Sequence, residues 1–281
     1  MSIAERFTFM AGSLPRTPFK VMVRAAAQAG FDSMTLWPNI WRYAMKKEGL
    51  NLKDMRAMLD DHGLTLTDLD ACQDWAPPQS ASGPGGPMKG GTTRDEFFEV
   101  CSQLGGSTVV AAYMTDVPLN LDRDVEGFAR LCDDAARHGL RIALEFIPFT
   151  HIPDAATAWK VVGGANRSNG GLVADIWHHV RSGSDDAGLR SVPAEKIYTV
   201  QLSDGPAQAS SDLMNETVYG RLQPGEGSFN TKGFLQLLGG MGVRASVGPE
   251  AYKKSYEERD PFEVIQELAT ATRNVLAKAQ T

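Results

Sequence analysis

The chain is short of cysteine and histidine, has no basic cluster and has no long apolar run, and each shortage excludes something. Its three cysteines, Cys72, Cys101 and Cys132, are odd in number and lack C-x-x-C spacing. A disulfide framework or cysteine zinc site is therefore excluded, and small core residues in a reduced cytoplasm are expected. No run of eighteen apolar residues occurs, and Glu5 and Arg6 interrupt any signal-peptide core, so neither a membrane span nor a secretory leader is expected. Lys and Arg cluster no further than pairs such as Lys46-Lys47 and Lys253-Lys254, and the net charge is −6. That balance does not suggest nucleic-acid binding. No G-x-G-x-x-G follows the first strand, which argues against a doubly wound dinucleotide fold.

What is present is a regular alternation. A chain of 281 residues, 42% hydrophobic, has the length for one α/β barrel or two smaller domains. RFTFMAG (6–12) reads as a first strand, and Thr17-Pro18 supplies an N-cap and first-turn proline for a helix stopping at Gly30. DSMTLW (32–37) is a second strand; Asn51 caps a helix bearing Leu52, Met55 and Leu59 that ends at Gly63. TLTDLDA (65–71) is a third strand, and Thr93 with Glu96 forms a capping box before Phe97, Val100, Cys101 and Leu104. STVVAAYM (107–114) is a fourth strand, followed by an amphipathic helix over Val125 to Ala136. Four further strands lie in RIALEFIPF, GLVADIWHH, IYTVQLSDG and ASVGPEAY. Helices are expected near 154–164, at 230–241 and from Asp260-Pro261, with a poorly patterned stretch near 184–195. Eight strand signals, each followed by a helix-length segment, predict a single (β/α)8 TIM barrel over 1–281. Residues 76–91, rich in Pro, Gly and Ser, read as a loop on the active face, and 205–229 as a second loop.

The last four strands each run out at an oxygen donor: Glu145, Asp175, Gln201 and Glu250. Parallel strands of a barrel end on one rim, so these four are expected to converge. Three carboxylates placed together repel and raise one another's pKa, a conflict that a divalent cation removes. Oxygen donors without thiolate favour Mn²⁺ or Mg²⁺, with Co²⁺ or Zn²⁺ as further options. The competing expectation is a structural ion network in which these acids pair with Arg181, Arg221 or Lys254.

Around these residues the chain resembles the xylose-isomerase-like TIM barrel superfamily of sugar phosphate isomerases and epimerases. The resemblance is carried by ALEFIP, DIWHHVRSG (175–183), VQLSD (200–204), GRLQPGEG (220–227) and SVGPE (246–250). It implies metal coordination by Glu145, Asp175, Gln201 and Glu250. It also implies substrate contact or acid–base work by His178, an arginine near substrate at Arg221, and a loop-bracing role for Glu226. Many sugar epimerases of the superfamily have histidine where this chain has Gln201, whereas glutamine is similar to the bacterial dehydroshikimate dehydratases. The three-zinc site of the superfamily's DNA-repair endonucleases resembles a cluster of many histidines, and this chain has only five, His62, His138, His151, His178 and His179, which counts against that branch. His62 and His138 sit beside glycine at helix ends, and His179 is expected to point away from His178 on a strand extension.

The implied chemistry is proton abstraction α to a metal-bound carbonyl, giving an enediolate, with Glu145 and Glu250 removing and returning the proton. Isomerisation and epimerisation share that first step with dehydration of a cyclic hydroxyketone, so a hydro-lyase is the alternative. A ligand-binding barrel without turnover is the remaining option. Trp37, Trp75 and Trp177, with Arg181 and Arg221, are the expected substrate contacts. No phosphate motif is visible, which favours an unphosphorylated sugar-like polyol ketone or a cyclic hydroxyketone. A small-molecule substrate and no nucleic-acid or membrane partner are expected, with room for a homodimer or homotetramer.

Overall fold

Most of the strand signals are short, nearly unbroken apolar runs, the pattern of parallel strands covered on both faces. The computed structural model describes residues 3–78 and 91–281. β1 (Ala4–Phe9) passes through a 3₁₀ turn to α1 (Phe19–Gln28), and β2 (Ser33–Leu36) is followed by α2 (Pro38–Lys47) and α3 (Leu52–Asp61). Next come β3 (Thr65–Cys72), α4 (Arg94–Gln103), β4 (Thr108–Ala112) and α5 (Leu121–Ala136). β5 (Arg141–Glu145), α6 (Ala155–Ala165) and β6 (Gly170–Asp175) follow, β6 running straight into α7 (Ile176–Arg181), then α8 (Asp186–Arg190). β7 (Ile197–Leu202), α9 (Leu213–Tyr219), α10 (Thr231–Met241), β8 (Ala245–Pro249) and α11 (Pro261–Ala279) complete the order.

The strands close into a barrel in sequence order, every neighbouring pair parallel, and β1 pairs with β8 to seal the ring. The seam is tight. A Cβ on Gly248 would run into the Thr8 carbonyl, so β8 needs glycine there to lie against β1. The chain is thus a single (β/α)8 barrel, as its alternation predicts. No helix among the described residues is long and apolar enough to cross a membrane.

Local differences from the expected pattern have physical causes. The first strand stops at Phe9, and Ala11–Ser13 turn instead. Thr17 does not cap α1; the Glu48 carboxylate, arriving just past α2, takes the Phe19 and Lys20 N–H groups at 2.7 and 3.0 Å. Asn51 and Asp54 make a reciprocal capping box at α3. Thr93 Oγ1 accepts from the Glu96 N–H, but the Glu96 carboxylate turns away to Arg42, at 2.6 and 2.9 Å. The chain after Asp175 is helical, so His178 and His179 are on α7 and not on a strand extension. α9 lies inside the segment expected as loop, and the stretch near 184–195 holds α8. Of the loop expected at 76–91, residues 79–90 lie outside the described residues.

The barrel interior carries polar groups beneath the rim. Thr8 Oγ1 and Ser33 Oγ lie 2.8 Å apart, and Thr199 Oγ1 on β7 donates across the barrel to Asp68 on β3 at 2.9 Å. Burial pushes the Asp68 carboxyl up to about 6, against the pull of Thr199 and Arg141. A carboxyl raised on folding contributes stability that is full below the unfolded pKa and lost as pH rises through the folded value, here from about 4 to about 6. Asp68→Asn is therefore expected to gain on the wild type as pH rises from 4 to 7, by about 2 kcal/mol. Paired thermal melts across that range check it, and a gap independent of pH would refute it.

Candidate active site

Parallel pairing sets the four strand-end donors side by side. Glu145 closes β5, Asp175 closes β6 opposite Gln201 on β7, and Gln201 pairs with Gly248, two residues before Glu250. All four are buried. Asp175 is also the N-cap of α7: its Oδ1 accepts from the N–H groups of Trp177 and His178 at 2.6 and 3.1 Å. That cap starts the helix whose first turn carries His178 back over the rim. His178 Nε2 lies 3.5 Å from Glu145 Oε1 and 3.8 Å from Asp175 Oδ2.

Arg221 is not a free arm at the mouth. Its guanidinium is buried, with Nη1 donating to Asp175 Oδ2 at 2.7 Å, to Glu250 Oε2 at 3.3 Å and to the Glu250 carbonyl at 3.2 Å. Nε and Nη2 donate to Thr217 Oγ1 on α9, and the plane lies 4.7 Å from the Tyr252 ring centroid and 5.1 Å from that of Trp177. The ion-pair network anticipated as a rival to metal binding is therefore real for Asp175 and Glu250, and it uses Arg221. Arg181 pairs with Glu216 at 2.6 Å and donates to the Pro206 carbonyl at 2.8 Å.

One guanidinium does not balance the acids. Asp70, at the end of β3, is a fourth buried carboxyl beside Glu145, Asp175 and Glu250. Burial, then the charges of Glu145 and Asp68, push the Asp70 carboxyl well above the usual range. Burial also pushes Glu250 well up, reinforced by Asp70, Glu145 and Asp175 against the pull of Arg221. Asp175 goes the other way: burial raises it, but Arg221 and His178 outweigh that and hold it down. The difference follows geometry, since Arg221 sits closer to Asp175 than to Glu250. Burial and Glu250 likewise raise the Tyr252 hydroxyl well above its ordinary value.

The donors fit a divalent ion. Glu145, Asp175 and His178 offer ligand atoms that all lie within 4.8 Å of one another. Gln201 Nε2 donates to Glu250 Oε1 at 3.1 Å, which leaves Gln201 Oε1 buried without a hydrogen-bond partner. An unpaired amide oxygen among carboxylates is the kind of group an ion satisfies. The grouping differs from the expected Glu145, Asp175, Gln201 and Glu250 set in bringing His178 among the ligand atoms, because α7 folds it over the rim.

The aromatic contacts separate. Trp37 packs against Tyr252, with centroids 5.6 Å apart, at the rim. Trp75 donates its N–H to the Ala112 carbonyl and packs edge-on against Tyr113 and Phe128. Trp177 donates to Glu216 and stands behind Arg221. Trp75, Trp177 and Arg181 are thus engaged in packing and loop attachment. Glu226 receives Lys253 and the Gln223 N–H, bracing its loop. Of the other histidines, His62 binds the Met58 carbonyl, His179 binds Asp186, and His151 is exposed. Asp70 and Tyr252 were not singled out from the sequence. Asp70 follows Asp68 by two in TDLDA, and two acids at strand period inside an apolar run were the available signal.

The comparisons with known proteins agree with this architecture. The family model described as xylose isomerase-like TIM barrel matches residues 23–275. A 3-dehydroshikimate dehydratase of Pseudomonas aeruginosa is 27% identical over 259 residues, 88% of this chain. The chain spans only 37% of that dehydratase's length. An inosose isomerase of Bacillus subtilis is 29% identical over 194 residues, covering 65% of this chain and 67% of the isomerase. Among solved structures, the IOLI protein with a bound zinc atom superposes with a TM-score of 0.81 at 23% identity, covering 97% of this chain and 98% of its own. On its closed eight-stranded ring and a family match that covers most of its length, the chain belongs to the xylose isomerase-like TIM barrels.

Proposed function

We propose that this chain is a divalent-metal-dependent isomerase or epimerase that moves the proton α to the carbonyl of a neutral, cyclic polyhydroxy ketone. The observation that carries the reading is the imbalance at the rim, where four buried carboxyls meet a single guanidinium. Glu145, Asp175 and His178, with Gln201 Oε1 and Glu250 adjoining, would hold the ion. When bound, a divalent ion supplies a Lewis acid for the charge that develops on a substrate carbonyl oxygen.

The remaining work falls to side chains. Glu145 on β5 and Glu250 after β8 stand on different arcs of the ring, so they address a carbon between them from two sides. One removes the proton and the other returns it. Arg221 Nη2 donates to His178 Nε2 at 3.3 Å, which holds the imidazole beside Glu145 and Asp175. Arg221 fixes Asp175 and Glu250 relative to each other.

Among the described residues, the pairing of Arg221, Arg181 and Lys253 favours a neutral substrate. Arg221 is already spent on Asp175 and Glu250, Arg181 on Glu216, and Lys253 on Glu226, leaving none of these to receive a carboxylate or phosphate. A second reading, a hydro-lyase of a cyclic hydroxyketone, is supported by Gln201 and by the dehydratase match over 88% of this chain. Incubation of Mn²⁺- or Mg²⁺-loaded protein with inosose and with 3-dehydroshikimate in deuterated water separates the two. The expected result is deuterium at the carbon beside the inosose carbonyl with no gain in ultraviolet absorbance. Water loss and new absorbance from either ketone would select the lyase. Neither change with Mg²⁺, Mn²⁺, Co²⁺ or Zn²⁺ would overturn both.

A further inference from the structure

The accessible edge of the rim is bordered by two carboxyls. Asp70 and Glu145 keep 8% and 7% of their surface exposed, against 1% for Asp175 and 2% for Gln201 and for Glu250. Asp70 lies two residues beyond Asp68, whose bond to Thr199 crosses the barrel from β3 to β7. Gln201 lies two residues beyond Thr199. Asp70 therefore faces the Gln201–Glu250 side across the mouth, on the wall opposite part of the proposed ion-binding set. Its neighbour is Trp37, placed where the chain leaves β2, whose indole N–H is buried, faces the Asp70 carboxyl and makes no full hydrogen bond to it. Tyr252 backs the indole, and Gly12 lets both rings approach, since a Cβ there would meet each of them.

An unpaired donor beside a carboxyl suits a group that both accepts and donates, which a hydroxyl does and a carboxylate or phosphate ester at neutral pH does not. We infer that Asp70 and the Trp37 Nε1–H together receive one hydroxyl of a neutral polyhydroxy ketone, and that Asp70 selects against substrates bearing an anionic group at that position. The substrate class rests on the function proposed above. Asp70 is here a specificity residue, distinct from the groups that move the proton.

The test uses the Mn²⁺-loaded full chain and two non-reacting probes, myo-inositol as a neutral polyol and shikimate as a carboxylate, with binding read by ligand-observed NMR. The wild type is expected to prefer the polyol. Asp70→Ala should weaken polyol binding at least tenfold, and Asp70→Asn should narrow the preference at least tenfold by admitting the carboxylate. Circular dichroism and melts report folding, and failure of one variant to fold leaves the other to decide. A preference unchanged in the folded variants, a wild type that prefers shikimate, or binding of neither probe overturns the inference. Proton exchange is followed separately. Exchange with an unmoved preference removes the Asp70 assignment alone, and a shifted preference without exchange supports Asp70 while removing the proposed reaction.

Discussion

Glu145→Gln is expected to lower turnover by roughly 10³-fold while leaving the fold intact. Loss of a positioned general base costs about 10²–10⁴ in rate. The amide keeps the shape of the carboxylate and an oxygen for the ion, so elemental analysis should still find metal on the variant. Stability should hold or rise, because Glu145 adds to the charge that burial and neighbouring acids already oppose on Asp70 and Glu250. The checks are kcat, proton exchange and melting temperature measured on one preparation. A variant that keeps more than a tenth of wild-type turnover removes Glu145 from proton transfer, whatever its metal content.

Arg221→Leu should produce the largest loss of stability available from a single residue of the site. The guanidinium holds Asp175 and Glu250 with one nitrogen and Thr217 with the other two, all of it buried. Removing one partner of a buried ion pair costs about 3–5 kcal/mol, because the acids left behind stay buried and uncompensated. For a chain of this size that is a fall in melting temperature on the order of 10 °C. Arg221→Lys should fall between, since one ammonium retains the charge but cannot reach Asp175, Glu250 and Thr217 together. Added Mn²⁺ should recover part of the loss in both variants by supplying positive charge to the folded state alone. Metal-free Arg221→Leu that melts with the wild type would show that the acids are balanced without it.

The strand-to-helix alternation made the barrel legible because parallel strands buried on both faces leave short apolar runs at regular intervals. Glu145, Asp175, Gln201 and Glu250 were legible because each interrupts such a run. What was not legible depends on contacts between segments distant in sequence. Glu48 capping α1 in place of Thr17 is one case, and Glu96 turning to Arg42 instead of completing its capping box is another. His178 joined the ligand atoms because Asp175 caps a helix directly at the strand end, which GLVADIWHH conceals behind its continuous hydrophobicity. Asp70 stayed hidden for a related reason: acids inside a strand read as surface positions until the ring shows that they point inward. Arg221 could be placed near the site from its motif, but its commitment to two acids required the fold of α9 and the chain after β8.

The seam between β1 and β8 bears on how the molecule comes into being. Glu250 follows Gly248 by two residues, and only glycine at 248 leaves room for the Thr8 carbonyl, some 240 residues earlier in the chain. Arg221, whose guanidinium steadies Glu250, is itself anchored there, its backbone N–H donating to the Tyr252 carbonyl. While that seam is open, the pairing of β8 with β7 alone already sets Glu250 beside Gln201, and Asp175 stands opposite Gln201 on β6. The entropy of joining the two ends of the barrel is met by backbone pairing and apolar contact along β1 and β8. Glycine at 248 therefore serves the closing of the ring, whereas the grouping of Glu145, Asp175 and Gln201 is set by strands consecutive in the chain.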